Sequence, residues 1–372
     1  MKKTLILFMF FSITFLAGCN QKEETYKLGF IGTLSGQYAE VALAEMYGVQ
    51  LAVSEINADG GFNGQKIELL VRDDEADSLL AVEMQNELKE EGVNVIIGHS
   101  LSIVASDAVK NANENDILLL SPSFGTDLLT GIDDNLIRNV ATVRYEGQFI
   151  SEKIIENNPE KVLMIHDLDN VVLTSYHVEA FEESFENAGF DASDYTVKGF
   201  TPDNVTDQTD IETMLSSGMY DTLFIAASNN DSAIYVNYIK SNNIECDVHL
   251  TSWASTGLIN SIESKNTSNI FAYINFDVYN TTNSFLVFSK SYHDTYGKEP
   301  NMVAVNAYDF VYILRDAIDE VGSEDIDLIK NYIIDSDIVG INSNYRIDQY
   351  GDNVREHIQL VIEDGEYVKS EE

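Results

Sequence analysis

Histidines and clustered acidic residues are the side chains in this sequence that could carry catalytic or metal chemistry. No two of the histidines have the helical spacing of a metal-binding pair. His166 and Asp167 stand together at the end of a predicted strand, which favours a hydrogen-bonded structural pair over a catalytic dyad. The acidic run 73–77 lacks the spacing and the glycine of a calcium-binding EF-hand, so we interpret it as the N-terminal turn of a helix.

The glycines after the first predicted strand do not form a nucleotide-binding motif. Gly29, Gly32 and Gly36 are spaced G-x-x-G-x-x-x-G, which matches neither the dinucleotide pattern G-x-G-x-x-G nor a phosphate-binding loop ending in Gly-Lys-Ser/Thr. The nucleophile motif G-x-S-x-G is also absent from the sequence. We therefore expect a protein that is not an enzyme and holds no cofactor and no metal.

Composition excludes two broad classes of protein. The 372-residue chain is 44% hydrophobic, enough for a packed core, so a disordered protein is excluded. Its 22 basic and 62 acidic residues give a formal net charge of -40, which would repel the phosphates of nucleic acids. We expect a globular protein of about two domains, with an acidic solvated surface and no nucleic-acid partner.

The N-terminal segment has the pattern of a secreted lipoprotein. Two lysines precede a short apolar stretch, residues 5–16, which falls below the ~18 residues of a membrane-spanning helix. The run Leu-Ala-Gly before Cys19 looks like a bacterial lipobox, which predicts a signal peptide over 1–18 and a lipid on the Cys19 sulfur. Residues 19–25 then form a short tether. Cys246 has no disulfide partner and is expected to be a small buried residue.

From residue 26 onward, short β-rich runs alternate with longer amphipathic helical patterns. Repeated strand–helix units predict an α/β protein with parallel sheets covered on both faces, packed as two doubly wound lobes. A two-lobed protein without catalytic motifs is expected to bind a ligand in the cleft between the lobes. The predicted strands are Lys27–Gly32, Lys66–Arg72, Val93–Ile97, Ile117–Leu120, Ile137–Val140, Lys161–His166, Thr196–Phe200, Tyr220–Ala226 and Val248–Ser252.

The order of several short motifs resembles one family, the solute-binding lipoproteins of ABC transporters of the branched-chain amino-acid (Leu/Ile/Val-binding) type. The matching stretches are Leu28–Gly36, Ala52–Gly64, Val71–Asp77, Ile96–Ala108, Leu118–Thr130 and Ala307–Asp309. The resemblance implies the type I periplasmic-binding-protein fold, with two lobes joined by three crossings around a central ligand cleft. It places the first lobe at 26–140 plus 276–343 and the second at 141–275 plus 344–369.

In the first lobe, the resemblance implies a ligand site at the carboxyl ends of the strands, where loops enter helices whose N–H groups favour an anion. Ser102 matches the position whose hydroxyl holds the ligand carboxylate; a helix N-cap is the alternative. Ser123 matches a backbone contact to the ligand. Gly125 stands where the family usually has a threonine whose hydroxyl contacts the ligand. Thr126 would supply this hydroxyl only if the loop shifts by one residue, and is otherwise an N-cap. Tyr308 matches an aromatic residue flanking the pocket, with a core tyrosine as the alternative.

In the second lobe, the sequence departs from the amino-acid binders of this family. Asn170 and Ser228 stand where those proteins have aromatic residues, and Trp253 aligns with the acidic residue that pairs with the ligand ammonium. An unpaired buried ammonium is unfavourable by several kcal/mol, so this departure puts an α-amino ligand in doubt. Trp253 would instead cover an apolar or aromatic ligand, or belong to the core if the alignment is shifted.

The resemblance implies a lipid-anchored protein on the outer face of the cytoplasmic membrane, or in the periplasm if the cell has two membranes. It would bind an amino acid or a related small carboxylate or amide, and deliver it to ABC permease and ATPase subunits. A ligand-sensing module that signals to a membrane partner without transport is the alternative. The expected oligomeric state is a monomer.

Overall fold

The computed structural model describes residues 25–36, 39–255, 258–262, 266–277, 279–334, 336–355, 357–363 and 365–370. The predicted signal peptide and Cys19 lie outside the described residues. The strands are β1 (Tyr26–Gly32), β2 (Ile67–Asp73), β3 (Val95–Gly98), β4 (Leu118–Ser121), β5 (Leu136–Arg138), β6 (Val162–Asp167), β7 (Tyr195–Phe200), β8 (Thr222–Ala226), β9 (Asp247–Leu250), β10 (Asn266–Ile274), β11 (Asp337–Val339), β12 (Asn344–Ile347), β13 (Asn353–Val354), β14 (Ile358–Glu363) and β15 (Glu366–Lys369). The helices are α1 (Ala39–Asp59), α2 (Ser78–Glu90), α3 (Ala105–Glu114), α4 (Val143–Glu156), α5 (Val171–Ala188), α6 (Val205–Ser216), α7 (Asn229–Ser241), α8 (Ser252–Ser255), α9 (Asn283–Tyr296), α10 (Met302–Val321) and α11 (Ile326–Ile333).

The first sheet has the strand order β2-β1-β3-β4-β5, with every pair parallel. Successive side chains of a strand point to opposite faces, and both faces are covered here. Leu118 and Leu120 pack with α1 and α10 in one core, whereas Leu119 packs with α2 and α3 in the other. The acidic run 73–77 precedes α2, and Asp77 caps that helix by accepting from two of its first backbone N–H groups.

The second sheet has the strand order β15-β14-β10-β9-β8-β6-β7. Strands β6 to β10 pair in parallel, whereas β14 pairs antiparallel with both β10 and β15 at one edge. Leu163 and Ile165 face a core with α6, α7 and α8, and Met164 faces a core with α4 and α5. The α/β fold with two parallel-sheet lobes is therefore confirmed, and the antiparallel hairpin of β14 and β15 extends the second sheet.

The chain passes between the two sheets three times, through residues 139–142, 275–282 and 334–357. The third passage contains a small antiparallel sheet of β11, β12 and β13. Tyr345 and Ile347 of that sheet pack in the core of the first lobe, just beyond its predicted end at 343. The exact division of the lobes stays a prediction. Among the described residues, no helix combines the length and the apolar character needed to span a bilayer.

Helices α1 and α10 pack against each other in the first-lobe core, and α1 carries a glycine where they meet. A Cβ atom at Gly48 would overlap the backbone carbonyl of Ala304 on α10. Close approach of the two backbones therefore depends on the missing side chain.

Replacing Gly48 by alanine tests this packing. An exposed helix-interior Gly→Ala change gains about 1 kcal/mol of stability from helix propensity, but here the overlap pushes α1 away from α10. We expect Gly48→Ala to lower the free energy of unfolding by about 1–3 kcal/mol, measured by urea denaturation. The matched control is Ser54→Ala on the exposed face of the same helix, expected to be neutral or slightly stabilising. A stabilised Gly48→Ala protein would contradict the proposed contact.

Candidate functional site

Two loops of the first lobe lie side by side at the carboxyl end of the sheet. One follows β3 and leads into a 3-10 helix, Ser102–Val104, and the other follows the neighbouring strand β4. The Ser123 hydroxyl donates to the backbone carbonyl of Ser100 at 2.9 Å, which joins the loops. The structure thus brings Ser102, Ser123, Gly125 and Thr126 to one edge of the first sheet.

Within these loops, the predicted residues have distinct environments. Ser102 is exposed and is the first residue of its 3-10 helix. The N-cap residue of that helix is Leu101, which makes no side-chain hydrogen bond to it, so the alternative that Ser102 is the N-cap is wrong. Thr126 accepts from the Leu128 N–H at 3.3 Å and is an N-cap. Gly125 is half-buried, and a Cβ there would have only the Ala141 carbonyl within reach, at 3.9 Å.

The second lobe presents loops after β6 and β8. Asn170 is half-buried and precedes α5 without a side-chain cap, and Ser228 caps α7 by accepting from the Asp231 N–H at 3.2 Å. His166 Nδ1 lies 3.2 Å from the Thr174 hydroxyl. The predicted His166–Asp167 pair is therefore wrong, because the two side chains of neighbouring strand residues point to opposite faces of the sheet.

A cavity of about 490 Å³ lies between the lobes. Trp253, on the short helix α8 of the second lobe, lines it together with Met302 at the start of α10 in the first lobe and Phe276 in the second crossing. Trp253 is half-buried and is not a core residue. Tyr308 does not line this cavity. It packs in the core between the first sheet and helices α1 and α10, and its hydroxyl donates to Glu55 at 2.6 Å.

A buried polar network beneath the two first-lobe loops was missed by the sequence analysis. The Ser100 hydroxyl donates to Glu45 Oε2 at 2.5 Å, and His99 Nδ1 lies 2.7 Å from Asp74 Oδ2. His99 Nε2 lies 3.0 Å from the Gln85 amide. All of these side chains are buried. The one signal in the sequence was the position of Glu45, which follows Ala42 by three residues on the inward stripe of α1.

The pKa values of the two buried acids in this network, Glu45 and Asp74, shift in opposite directions. Burial raises the pKa of Glu45 to about 7, although the hydrogen bond from Ser100 opposes the change. Its Oε1 atom has no hydrogen-bond partner. Burial also disfavours ionised Asp74, but the hydrogen bond and charge of His99 outweigh it and lower the pKa of that carboxyl.

A buried arginine connects the loop after β4 to the third crossing. Arg138 is fully buried, and its Nε donates to Asp352 Oδ1 at 2.7 Å. Its Nη1 donates to the carbonyls of Phe124 (3.0 Å) and Thr126, and its Nη2 donates to the Thr130 hydroxyl at 2.7 Å. One guanidinium therefore fixes the shape of the loop that carries Ser123.

Comparison with known proteins agrees with this architecture. A family described as periplasmic binding protein matches residues 25–331. The chain belongs to the periplasmic binding protein family. Among curated members, the Leu/Ile/Val-binding protein of Escherichia coli K12 is 30% identical over 146 residues, which are 39% of this chain and 40% of that protein. A leucine-, isoleucine-, valine-, threonine- and alanine-binding protein of Pseudomonas aeruginosa is 26% identical over 43% of this chain and 44% of its own length. The alignments thus span about two fifths of these relatives.

Solved structures of the periplasmic binding protein family share the fold over nearly the whole chain. A putative branched-chain amino acid ABC transporter protein from Rhodospirillum rubrum superposes with a TM-score of 0.81 at 19% identity, covering 93% of this chain and 100% of its own. A branched-chain amino acid transporter substrate binding protein from Streptococcus pneumoniae, solved with isoleucine, gives 0.69 at 24% identity over 93% and 100% of the two chains. The recognised family and its two-lobed fold are thereby confirmed.

Glu45 should make stability depend on pH. In the unfolded chain its carboxyl ionises near pH 4.5, whereas in the folded protein it ionises near pH 7. Between these values the unfolded state loses the proton first, so wild-type stability falls as the pH rises. Glu45→Gln has no charge to bury, and we expect its stability relative to wild type to rise by roughly 1–3 kcal/mol from pH 4.5 to 7.5, measured by urea unfolding. A difference that stays constant across this range would contradict the raised pKa.

Arg138 can be tested by removing one or both members of its ion pair. Arg138→Met leaves Asp352 buried without a counter-charge, and we expect the free energy of unfolding to fall by about 3–5 kcal/mol. The double variant with Asp352→Leu should lose less than the sum of the single changes. The control is Lys290→Met, from the exposed Lys290–Asp294 pair, with an expected change below about 1 kcal/mol. Equal effects of Arg138→Met and Lys290→Met would refute the structural role of Arg138.

Proposed function

We propose that this protein is an extracytoplasmic solute-binding lipoprotein of an ABC importer. It binds a small molecule between its two lobes and delivers it to a membrane permease, without any reaction on the ligand. The observation that carries the proposal is the cavity between α8 and the start of α10, which is formed by both lobes in a chain of the periplasmic binding protein family. A pocket formed by two lobes is filled or emptied when the lobes move about their crossings.

The ligand class follows from the relatives and from the first-lobe loops. The curated relatives are named for Leu, Ile and Val, and they align over about two fifths of their length. The loops after β3 and β4 offer hydroxyls and helix-start N–H groups, which suit a carboxylate. The proposed ligand is therefore an amino acid or a related small carboxylate or amide.

Closure of the lobes would complete the site. Of the predicted ligand residues, Trp253 lines the cavity, whereas Ser102 and Ser123 of the first lobe and Asn170 and Ser228 of the second are not part of its lining. We propose that closure brings Ser102 and Ser123 to the ligand from the first lobe, and Asn170 or Ser228 from the second. Exposed apolar side chains lie close in sequence to these residues, in short 3-10 helices, a loop and a helix start: Ile103 and Leu128 on the first lobe, Leu168 and Val171 on the second. Covering such surface favours the closed state at about 25 cal/mol per Å².

The expected partners are ABC permease and ATPase subunits. The protein would act as a monomer, anchored through the lipid on Cys19 to the outer face of the cytoplasmic membrane, or periplasmic if the cell has two membranes. The short tether of residues 19–25 would leave the folded lobes next to the permease while keeping them free to open and close.

A thermal-shift screen tests ligand binding by the purified protein. Amino acids, small carboxylates, amides and nucleobases are the test compounds. A true ligand at 100 times its Kd stabilises the folded state by roughly 2.7 kcal/mol, and Ser102→Ala, which removes the hydroxyl proposed to hold the carboxylate, should weaken that shift. A screen in which no compound raises the melting temperature would count against the proposed function.

Membrane anchoring is tested by Cys19→Ala. Without the thiol no lipid can be attached, so we expect the variant protein to leave the membrane fraction and to incorporate no labelled fatty acid. The matched control is Cys246→Ala, since Cys246 is buried as a free thiol in the second-lobe core. Retention of the Cys19→Ala protein in washed membranes would contradict the anchor.

A further inference from the structure

A groove of about 330 Å³ lies along one face of α10 in the first lobe. Within the part of the chain that the structure describes, it shares no lining residue with the cavity between the lobes. Asp309, Tyr312 and Asp316 line it at helical spacing, which places them on the same face of α10. Tyr332 of α11 and Asp337 of β11 line the other side. The described residues of the lining include three aspartates and no basic side chain, which favours a positively charged occupant.

Asp309 is the buried acid of this groove, with 7% of its surface exposed. Its Oδ1 accepts from the Ile341 N–H at 3.1 Å, whereas Oδ2 has no hydrogen-bond partner among the described residues. The Arg355 guanidinium acts on Asp309 from the third crossing, but it lies over the Tyr345 ring, 4.2 Å from the centroid. It also donates to the Asn275 carbonyl at 3.4 Å. Burial raises the pKa of Asp309 to about 7, although the Ile341 N–H and Arg355 oppose the change. A cation bound at Oδ2 would offset this burial.

The other two acids of the groove stand beside cations of the chain itself. Arg315 Nη2 donates to Asp316 Oδ1 at 2.7 Å. Asp337 lies opposite Arg346 in the ladder between β11 and β12. Asp309 is therefore the acid of the groove that is left for a ligand.

We propose that this groove binds a small organic cation, whose ammonium or guanidinium group pairs with the Asp309 carboxylate. A metal ion is a poorer occupant, because the described residues hold no group of three His, Cys, Asp or Glu side chains that could coordinate one. The volume of about 330 Å³ lies at the lower end of the range for ligand pockets, so it suits a cation on a short alkyl chain. This site is separate from the solute-binding function proposed above.

An aromatic wall completes the recognition of such a cation. Tyr332 is exposed where it lines the groove, and a tyrosine ring attracts a cation to its negative face. The chain uses the same recognition at Arg315, whose guanidinium lies 4.7 Å from the Tyr312 ring centroid while it pairs with Asp316. A bound cation would repeat this arrangement of carboxylate, cation and ring with Asp309 and Tyr332.

Isothermal titration calorimetry of the purified protein tests the site with defined probes. Cadaverine and agmatine are the cations, and 1,5-pentanediol is the uncharged analogue of cadaverine. We expect saturable binding of one equivalent of each cation and no binding of the diol. Because only ionised Asp309 pairs with a cation, the affinity should fall about tenfold from pH 8 to pH 6. Arg355 and Tyr345, the titratable groups of the third crossing that interact with Asp309, keep their charge states in this range.

Variants separate this site from general attraction of cations to an acidic protein. Asp309→Asn should weaken binding about tenfold or more and remove its pH dependence, while the amide oxygen can still accept from the Ile341 N–H. The matched control is Asp294→Asn, which removes one negative charge from the exposed side of α9, outside the groove, and should leave the affinity within about twofold. Tyr332→Leu should weaken binding roughly two- to fivefold, and Tyr332→Phe should retain it.

Either of two results would overturn the inference. One is the absence of saturable binding of both cations to the wild-type protein. The other is cation binding that keeps its strength and its pH profile in Asp309→Asn, with a melting curve showing that the variant is folded. In that case a change in the emission of Trp253, the single tryptophan of the chain, would place the cation in the cavity between the lobes instead.

Discussion

The buried ion pair of Arg138 and Asp352 is the interaction on which the geometry of the site depends. A guanidinium that is wholly removed from water needs an acceptor for each of its donors. Arg138 finds them in Asp352 of the third crossing and in the loop from Phe124 to Thr130. Asp352 also accepts from the Gly131 N–H at 2.7 Å. The loop that carries Ser123 and the third crossing are thus held in one arrangement, which would reduce the ordering entropy lost on the proposed ligand binding.

Each lobe has a buried glutamate bonded to a segment that we propose faces the ligand, and the two glutamates differ in charge. Glu45 accepts a hydrogen bond from the Ser100 hydroxyl, which does not compensate its desolvation, so burial raises its pKa to about 7. Glu146 lies against His177, which outweighs burial and lowers its pKa to about 2. The physical difference is the presence of a basic partner. Glu146 in the second lobe is therefore ionised throughout the physiological range, whereas Glu45 in the first lobe titrates near neutrality.

The sequence was sufficient for most of the fold because hydrophobic runs and helical periodicity repeat regularly. Every predicted strand is present, with ends displaced by a few residues, as in Leu118–Ser121 against the predicted 117–120. The site was less predictable. An inward glutamate such as Glu45 cannot be told from an exposed one until α1 is packed, and the Arg138–Asp352 contact joins residues more than 200 positions apart. Tyr308 matched a pocket residue by sequence, but its hydrogen bond to Glu55 keeps it in the core.

The account depends on a ligand held between the lobes at Trp253. A crystal structure of the protein grown with the compound that raises its melting temperature most tests this claim most directly. The account predicts density for the ligand between the lobes, against Trp253 and Met302, with residues of both lobes in contact with it. Density at a site outside the cavity between the lobes would contradict it.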